Sequence, residues 1–305
     1  MMRITEVSPS EYKKQFAVVP HVFNSVEFSE LNRDKVDGLH YLMLADDKVR
    51  FGIILGEKSD GLHSPFSAPF GGFVMPRSQR LRYMEEALEL VQSFRPDANI
   101  HVTLPPLIYD QSQLSKWVNV LQRRAAVTCI DLNYHFDLSR FPRYEEIVGR
   151  DARWGLHRAA REGLEFVVLA GTDADIERAY SVIEANRAEH GYPLRMTLQA
   201  VKDTVRHVKA DFFVMTHGGI DIAAAQVFHV ADGVAQVIYW GDLKEYARLR
   251  TMNWLAYNVF QYYYKQGLKI LDIGPSTEDG VPNHGLCEFK ESIGCDVSPK
   301  FRFLL

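Results

Sequence analysis

One order of apolar runs occurs twice along the chain, and that repetition limits the fold more than any other feature. In the first half, "GLHYLMLADDKVRFGIILGEK" holds two apolar runs, residues 39–45 and 49–56, separated by Asp46-Asp47. Two such runs around a turn predict a hairpin. "SQRLRYMEEALELVQSF" then spaces Leu81, Met84, Leu88 and Val91 as one face of a helix, and "NIHVTL" reads as a short strand. In the second half, "ADFFVMTHGGIDIAAAQVFHVADGVAQVIYWG" gives three apolar runs broken by His217-Gly218-Gly219 and Ala231-Asp232-Gly233. A helical stripe of Leu249, Met252, Leu255, Val259 and Tyr263 follows, stopped by Gly267, and then the strand "LKILDIG". Two copies of meander, helix and strand predict a tandem duplication of one α/β (α+β) domain, each copy a mixed sheet flanked by helices.

A chain of 305 residues exceeds what a single core usually organises, in line with two domains. The apolar pattern breaks at "DLSRFPRYEEIVGR", where Pro142 sits in a charge cluster, so the boundary is expected near residue 145, with domains 1–145 and 146–305. The second domain has a preface: a helix in "RDARWGLHRAAREG", a strand in "LEFVVL", and helices around 173–190 and 197–208. A last strand, "KFRFL", closes the chain.

With 47% apolar and 24% charged residues the composition is that of a globular protein, not of a disordered chain. A net charge of -4 gives no general attraction for nucleic acid, so DNA is not an expected partner and any polyanion needs a local basic patch. Cys129, Cys287 and Cys295 lack C-x-x-C spacing and read as reduced thiols, which suits a cytoplasmic protein. No apolar run approaches a membrane span. The eleven histidines are scattered and no H-E-x-x-H, Walker loop or nucleophile elbow occurs, so no metal is expected.

The stretch "NHGLCEFKESIGCDV", residues 283–297, is too polar for core and follows "LKILDIGPST" directly. Meander, long helix and parallel strand form the centre of the GCN5-related N-acetyltransferase (GNAT) fold. "LKILDIGPST" with "HGLCEFKESIG" resembles the C-terminal signature of the Fem family of peptidyltransferases, where an aspartate and a glycine close a strand and a Phe-Lys pair comes shortly before another glycine. "ARWGLHRAAREGLEFVV", "EHGYPLRMT" and "SPFSAPFGG" are similar to other family segments in the family's order. The resemblance spans nearly the whole chain and implies tandem GNAT-like domains. It also implies a transferase that places an acyl or aminoacyl group on an amine of a cell-envelope precursor, a peptidoglycan stem peptide or an amino sugar. The alternatives are an N-acetyltransferase that uses acyl-CoA or acyl carrier protein on a small molecule, and a binding protein that keeps the fold without turnover. The donor, a cosubstrate rather than a tightly held cofactor, stays open among aminoacyl-tRNA, acyl-CoA and acyl carrier protein.

The same resemblance puts Lys290 at the family's catalytic lysine and Phe289 beside it, with a ring face that suits a cation. The glycines on either side are expected to turn a polar loop across the strand ends, with Phe289 as anchor and Lys290 projecting into a cleft. Asp272 and Gly274 end the strand where α/β sheets collect ligands, or serve as a loop cap and a backbone requirement. Glu291 either orients Lys290 or an incoming amine, or is a surface charge. Arg153, His157 and Arg161 recur every four residues with Arg158 beside them, a face that grips phosphate or is merely solvated. Tyr262-Tyr263-Tyr264 are expected to pack. Asp242 is expected to cap the helix after the meander, which argues against acyl-CoA pyrophosphate at that helix start.

Overall fold

A computed structural model describes residues 1–305 and divides them into two compact units. The first consists of Met1–Leu132, Thr277–Val281 and Ser298–Leu305, and the second of Asn133–Ser276 and Pro282–Val297. The units therefore part inside the strand Ala126–Asp137, not near residue 145, and the last strand belongs mostly to the first unit. Hydrogen bonding decides this: the C-terminal strand pairs antiparallel with Ile100–Thr103, matching Arg302 to Thr103 and Leu304 to His101.

In the first unit the strands run in the order Arg3–Glu6, Gly38–Ala45, Val49–Lys58, Gly61–Ser64, Ile100–Thr103, then the C-terminal strand. Gly61–Ser64 and Ile100–Thr103 are parallel, joined by the helix Leu81–Phe94. That helix buries Met84, Leu88 and Val91, as its apolar spacing predicts, together with Ala87, against a core that includes Leu42, Phe51, Ile53 and Trp117, while Leu81 at its first turn is exposed.

In the second unit the order is Ala126–Asp137, Ile270–Pro275, Val234–Asp242, Ile220–Ala231, Ala210–His217 and Glu165–Val168. The predicted meander is present, and Gly218 and Gly219 both take positive φ, as the tightest hairpin turns require. The helix Asp173–His190 starts with a capping box between Thr172 and Asp175 and ends at the left-handed Gly191. The long helix Thr251–Lys265 buries Leu255, Val259, Phe260 and Tyr263. Tyr263 donates to Asp211 at 2.8 Å and Tyr262 packs edge-on against Phe213, so these two pack as expected, while Tyr264 is exposed. No helix is long and apolar enough to cross a membrane.

Two expectations fail locally. Residues 283–297 do not form a loop: Asn283 caps a helix, His284–Ser292, by accepting from the Leu286 amide at 3.1 Å, and Gly294 with φ 86° ends it. Leu286, Cys287 and Lys290 lie three and four apart, a helical stripe too short and too polar to stand out in the sequence. Asp242 caps no helix, because the strand Val234–Asp242 runs through it and a 3₁₀ turn, Lys244–Leu249, intervenes before Thr251.

Candidate functional site

The strands of the second unit separate where the candidate residues gather. Parallel pairing between Val234–Asp242 and Ile270–Pro275 runs from Val234 with Ile270 to Gln236 with Asp272. On the other edge, Asp272 pairs with His135 and Pro275 with Asn133, so Ile273 and Gly274 form a bulge, with φ 71° at Gly274. A bulge takes backbone carbonyls out of the ladder, and buried carbonyls need another donor.

Lys290 is that donor. Its ammonium donates to the carbonyls of Ile273 and Gly274 at 2.8 Å each and of Pro275 at 3.1 Å, and the side chain is only 2% exposed. An ammonium has three N–H groups, so all three are engaged. Burial lowers the Lys290 pKa to about 8, with Cys295 and Asp272 opposing the shift. Lys290 thus points inward as expected but closes a backbone bulge and leaves no donor free in this state.

The ring that faces this cation is Tyr134, whose centroid lies 5.5 Å from the Lys290 nitrogen, and not Phe289. Adjacent residues on a helix point about 100° apart, so the ring of Phe289 is turned away and meets Trp240 edge-on at 6.2 Å. Glu291 accepts from the Tyr134 hydroxyl at 2.8 Å and so acts on the ring beside Lys290 rather than on its amine.

Asp272 is fully buried, and its carboxylate accepts from Asn133 at 2.8 Å, Gln236 at 2.9 Å and the Gly274 amide at 2.8 Å. One carboxylate thereby fixes three strands and the bulge. The helix Asp173–His190 brings Arg187, half-buried between Tyr192 and Tyr239, close enough to depress the Lys290 pKa. Burial also lowers the Arg187 pKa, and its Nε has no hydrogen-bond partner. Burial pushes the Asp242 carboxyl, at the end of the strand Val234–Asp242, up to about 6.

The basic helix does not join this group. Arg150–Ala159 ends before Arg161, and its cations are engaged locally: Arg153 with the Val148 carbonyl at 3.4 Å, His157 with Glu145 at 2.7 Å, Arg158 with Glu162 at 3.3 Å. His157 and Arg158 face the carboxylates of Glu145 and Glu162, whereas Arg153 meets a neutral carbonyl and its Nε has no hydrogen-bond partner. Asn133, Tyr134, Gln236 and Arg187 went unnoticed in the sequence. The available signal for Gln236 was a single polar residue inside the apolar run "VAQVIYW"; Asn133 and Tyr134 lie in the alternating "DLNYHFD", which carries no such mark.

A GNAT acetyltransferase domain model matches residues 149–291, which include the meander, the bulge and Lys290. The chain has the tandem GNAT fold. Its fold is similar to a crystal structure of FemX, with a TM-score of 0.70 at 11% identity over 99% of this chain and 97% of that one. It is also similar to the C-terminal (DUF2156) domain of a putative lysylphosphatidylglycerol synthetase from Agrobacterium fabrum, with a TM-score of 0.62 at 14% identity over 97% and 92%. A tandem GNAT protein from the clavulanic acid biosynthesis pathway aligns with a TM-score of 0.53 at 10% identity over 100% and 98%. No curated protein matches the sequence.

Proposed function

We propose that this protein transfers an aminoacyl or acyl group from an activated carrier to an amine of a cell-envelope precursor, with the bulge and Lys290 as the reacting centre. The amine attacks the carbonyl carbon, a C–N bond forms, the ester or thioester bond to the carrier breaks, and the amine gives up a proton. Negative charge develops on the carbonyl oxygen and then on the leaving atom. Lys290 supplies a fixed positive charge in a site of low polarity, where such charge acts strongly. Its contact to Pro275, the longest of three at 3.1 Å, is the one that yields to the developing oxyanion. Asp272 holds the bulge in place, and Arg187 adds a second cation for an anionic group of donor or acceptor.

The observation that carries this reading is the buried ammonium of Lys290 seated on a strand bulge within a GNAT domain. Likeness to FemX and to a protein named for lysylphosphatidylglycerol synthesis favours an aminoacyl donor, with charged tRNA as the carrier. Lys290→Met and Lys290→Gln test it, the second keeping donors for the carbonyls without the charge. Turnover with aminoacyl-tRNA and an amine is expected to fall about 10²–10³-fold in both, with donor affinity retained. Unchanged turnover in folded variants removes Lys290 from the reaction.

One observation favours a second reading. The helix Thr251–Lys265 has no side-chain cap, and Arg250 precedes it at φ 60°, so no acid occupies the amides there. The argument against acyl-CoA from an Asp242 cap therefore lapses, and those amides suit a pyrophosphate. Calorimetric titration with acetyl-CoA at fixed salt tests this: saturable micromolar binding selects the acyl-CoA donor, and no heat at several temperatures leaves aminoacyl-tRNA or an acyl carrier protein as the donor.

A further inference from the structure

The sequence has no recognisable metal-ligand spacing, yet folding brings Asp60, His63 and His101 together in the first unit. His63 and His101 are direct partners in the parallel pairing of Gly61–Ser64 with Ile100–Thr103. Their rings stack 4.3 Å apart, 6° from parallel, on the face opposite the buried Leu62, Ile100 and Val102. Asp60, in the turn just before, reaches both: Oδ1 lies 2.8 Å from Nε2 of His63, and Oδ2 lies 3.8 Å from Nε2 of His101.

The hydrogen bond between Asp60 and His63 explains half of this arrangement. It does not explain His101, whose Nε2 is shielded from solvent and has no hydrogen-bond partner. A shielded nitrogen beside a second imidazole and a carboxylate is costly as a hydrogen-bonding group and useful as a ligand.

We propose that Asp60, His63 and His101 form a binding site for a divalent transition-metal ion, with Zn²⁺ as the reference case. Two imidazoles and a carboxylate select Zn²⁺, Ni²⁺ or Cu²⁺ over Mg²⁺ and Ca²⁺, which prefer all-oxygen shells. The ligand atoms lie within 4.8 Å of one another. Metal–ligand bonds of about 2.0–2.2 Å put tetrahedral ligand atoms roughly 3.3–3.6 Å apart, so the cluster contracts by about 1 Å on binding. The parallel rings also tilt so that their lone pairs converge. Asp60 is exposed and both histidines are only partly buried, so neither motion disturbs the core. Three protein ligands leave a fourth position for water or an added ligand. The bound ion ties the hairpin turn at Asp60 to the strand that follows the helix Leu81–Phe94, and stabilises the first unit by mass action.

The test uses the full chain without a histidine tag, stripped with a chelator and titrated with zinc chloride by calorimetry, with magnesium chloride as comparison. One saturable zinc site is expected, with concerted shifts of the His63 and His101 imidazole ¹⁵N resonances and no magnesium response. His101→Ala and His63→Gln are each expected to weaken zinc binding on the order of 100-fold, and Asp60→Asn on the order of tenfold. Absence of saturable zinc binding overturns the proposal. So does equal binding in His101→Ala, or zinc binding to the wild type that leaves both imidazole resonances unmoved. The resonance measurement decides even where a variant fails to fold.

Discussion

The two units carry the same parallel pair of strands after the same meander and helix, and use it differently. In the first unit Leu62, His63 and Ser64 lie beside Ile100, His101 and Val102. In the second, Val234, Ala235 and Gln236 lie beside Ile270, Leu271 and Asp272. Along a strand, alternate residues face opposite sides, so the outer pairs share one face and the middle pair takes the other. In the first unit the outer positions are core and the middle pair, two histidines, reaches partial solvent. In the second, Ala235 and Leu271 are fully buried, and the polar pair, Gln236 with Asp272, sits in the interior. A shared scaffold thus fixes where two strands meet, and the burial of each face decides which residues it can hold. The second unit keeps a charged centre where its parallel strands meet, held by a carboxylate with three donors and an ammonium with three acceptors, while the first unit's buried Asp131 and Lys300, with Arg302, lie on other strands.

Substitutions can break this contrast. Asp272→Ala strands Asn133, Gln236 and the Gly274 amide and removes a negative charge that favours the Lys290 ammonium, so a loss of about 3–5 kcal/mol in denaturant unfolding is expected. Leu104→Ala, just past the equivalent strand in the first unit, removes apolar packing alone and is expected to cost about 2–4 kcal/mol. Salt should move the first effect more than the second.

The pH dependence sharpens the difference further. Because burial lowers the folded Lys290 pKa to about 8 from its ordinary value, the unfolded chain binds more protons between those two values. Stability from this group should therefore rise with pH across that window, and Lys290→Met should remove that part of the slope. Turnover should move the opposite way, falling as pH passes about 8 and the ammonium is lost. A rate that instead rises through pH 8 assigns Lys290 as a base and breaks the charge-stabilising role. The smallest expected effect is that of Tyr134→Phe, which keeps the ring near Lys290 and deletes the hydroxyl bond to Glu291, at a cost of about 1 kcal/mol in unfolding.

Much of the fold was legible in the chain because local rules agree with the global answer. The hairpin turn at Asp46-Asp47, the meander turn at His217-Gly218-Gly219, and the stripe Met84, Leu88, Val91 all specify their elements within a few residues. Lys290 and Asp272 were found through a family motif, not through periodicity, since a buried lysine is too rare to infer from spacing. Phe289 and Asp242 were misplaced for a common reason. Each assignment assumed a start or stop of an element, and boundaries depend on hydrogen bonds formed with distant residues.

The sequence by itself determined the duplicated meander, helix and strand, since apolar period and turn chemistry act over neighbouring residues. Tertiary structure alone decided the rest. The C-terminal strand is placed in the first unit because only its pairing with Ile100–Thr103 satisfies that edge. Lys290 faces the bulge, and not solvent, because three buried carbonyls require donors there. His63 and His101 meet across 37 intervening residues because two strands align in parallel register, and a register is a property of paired strands that no single segment contains.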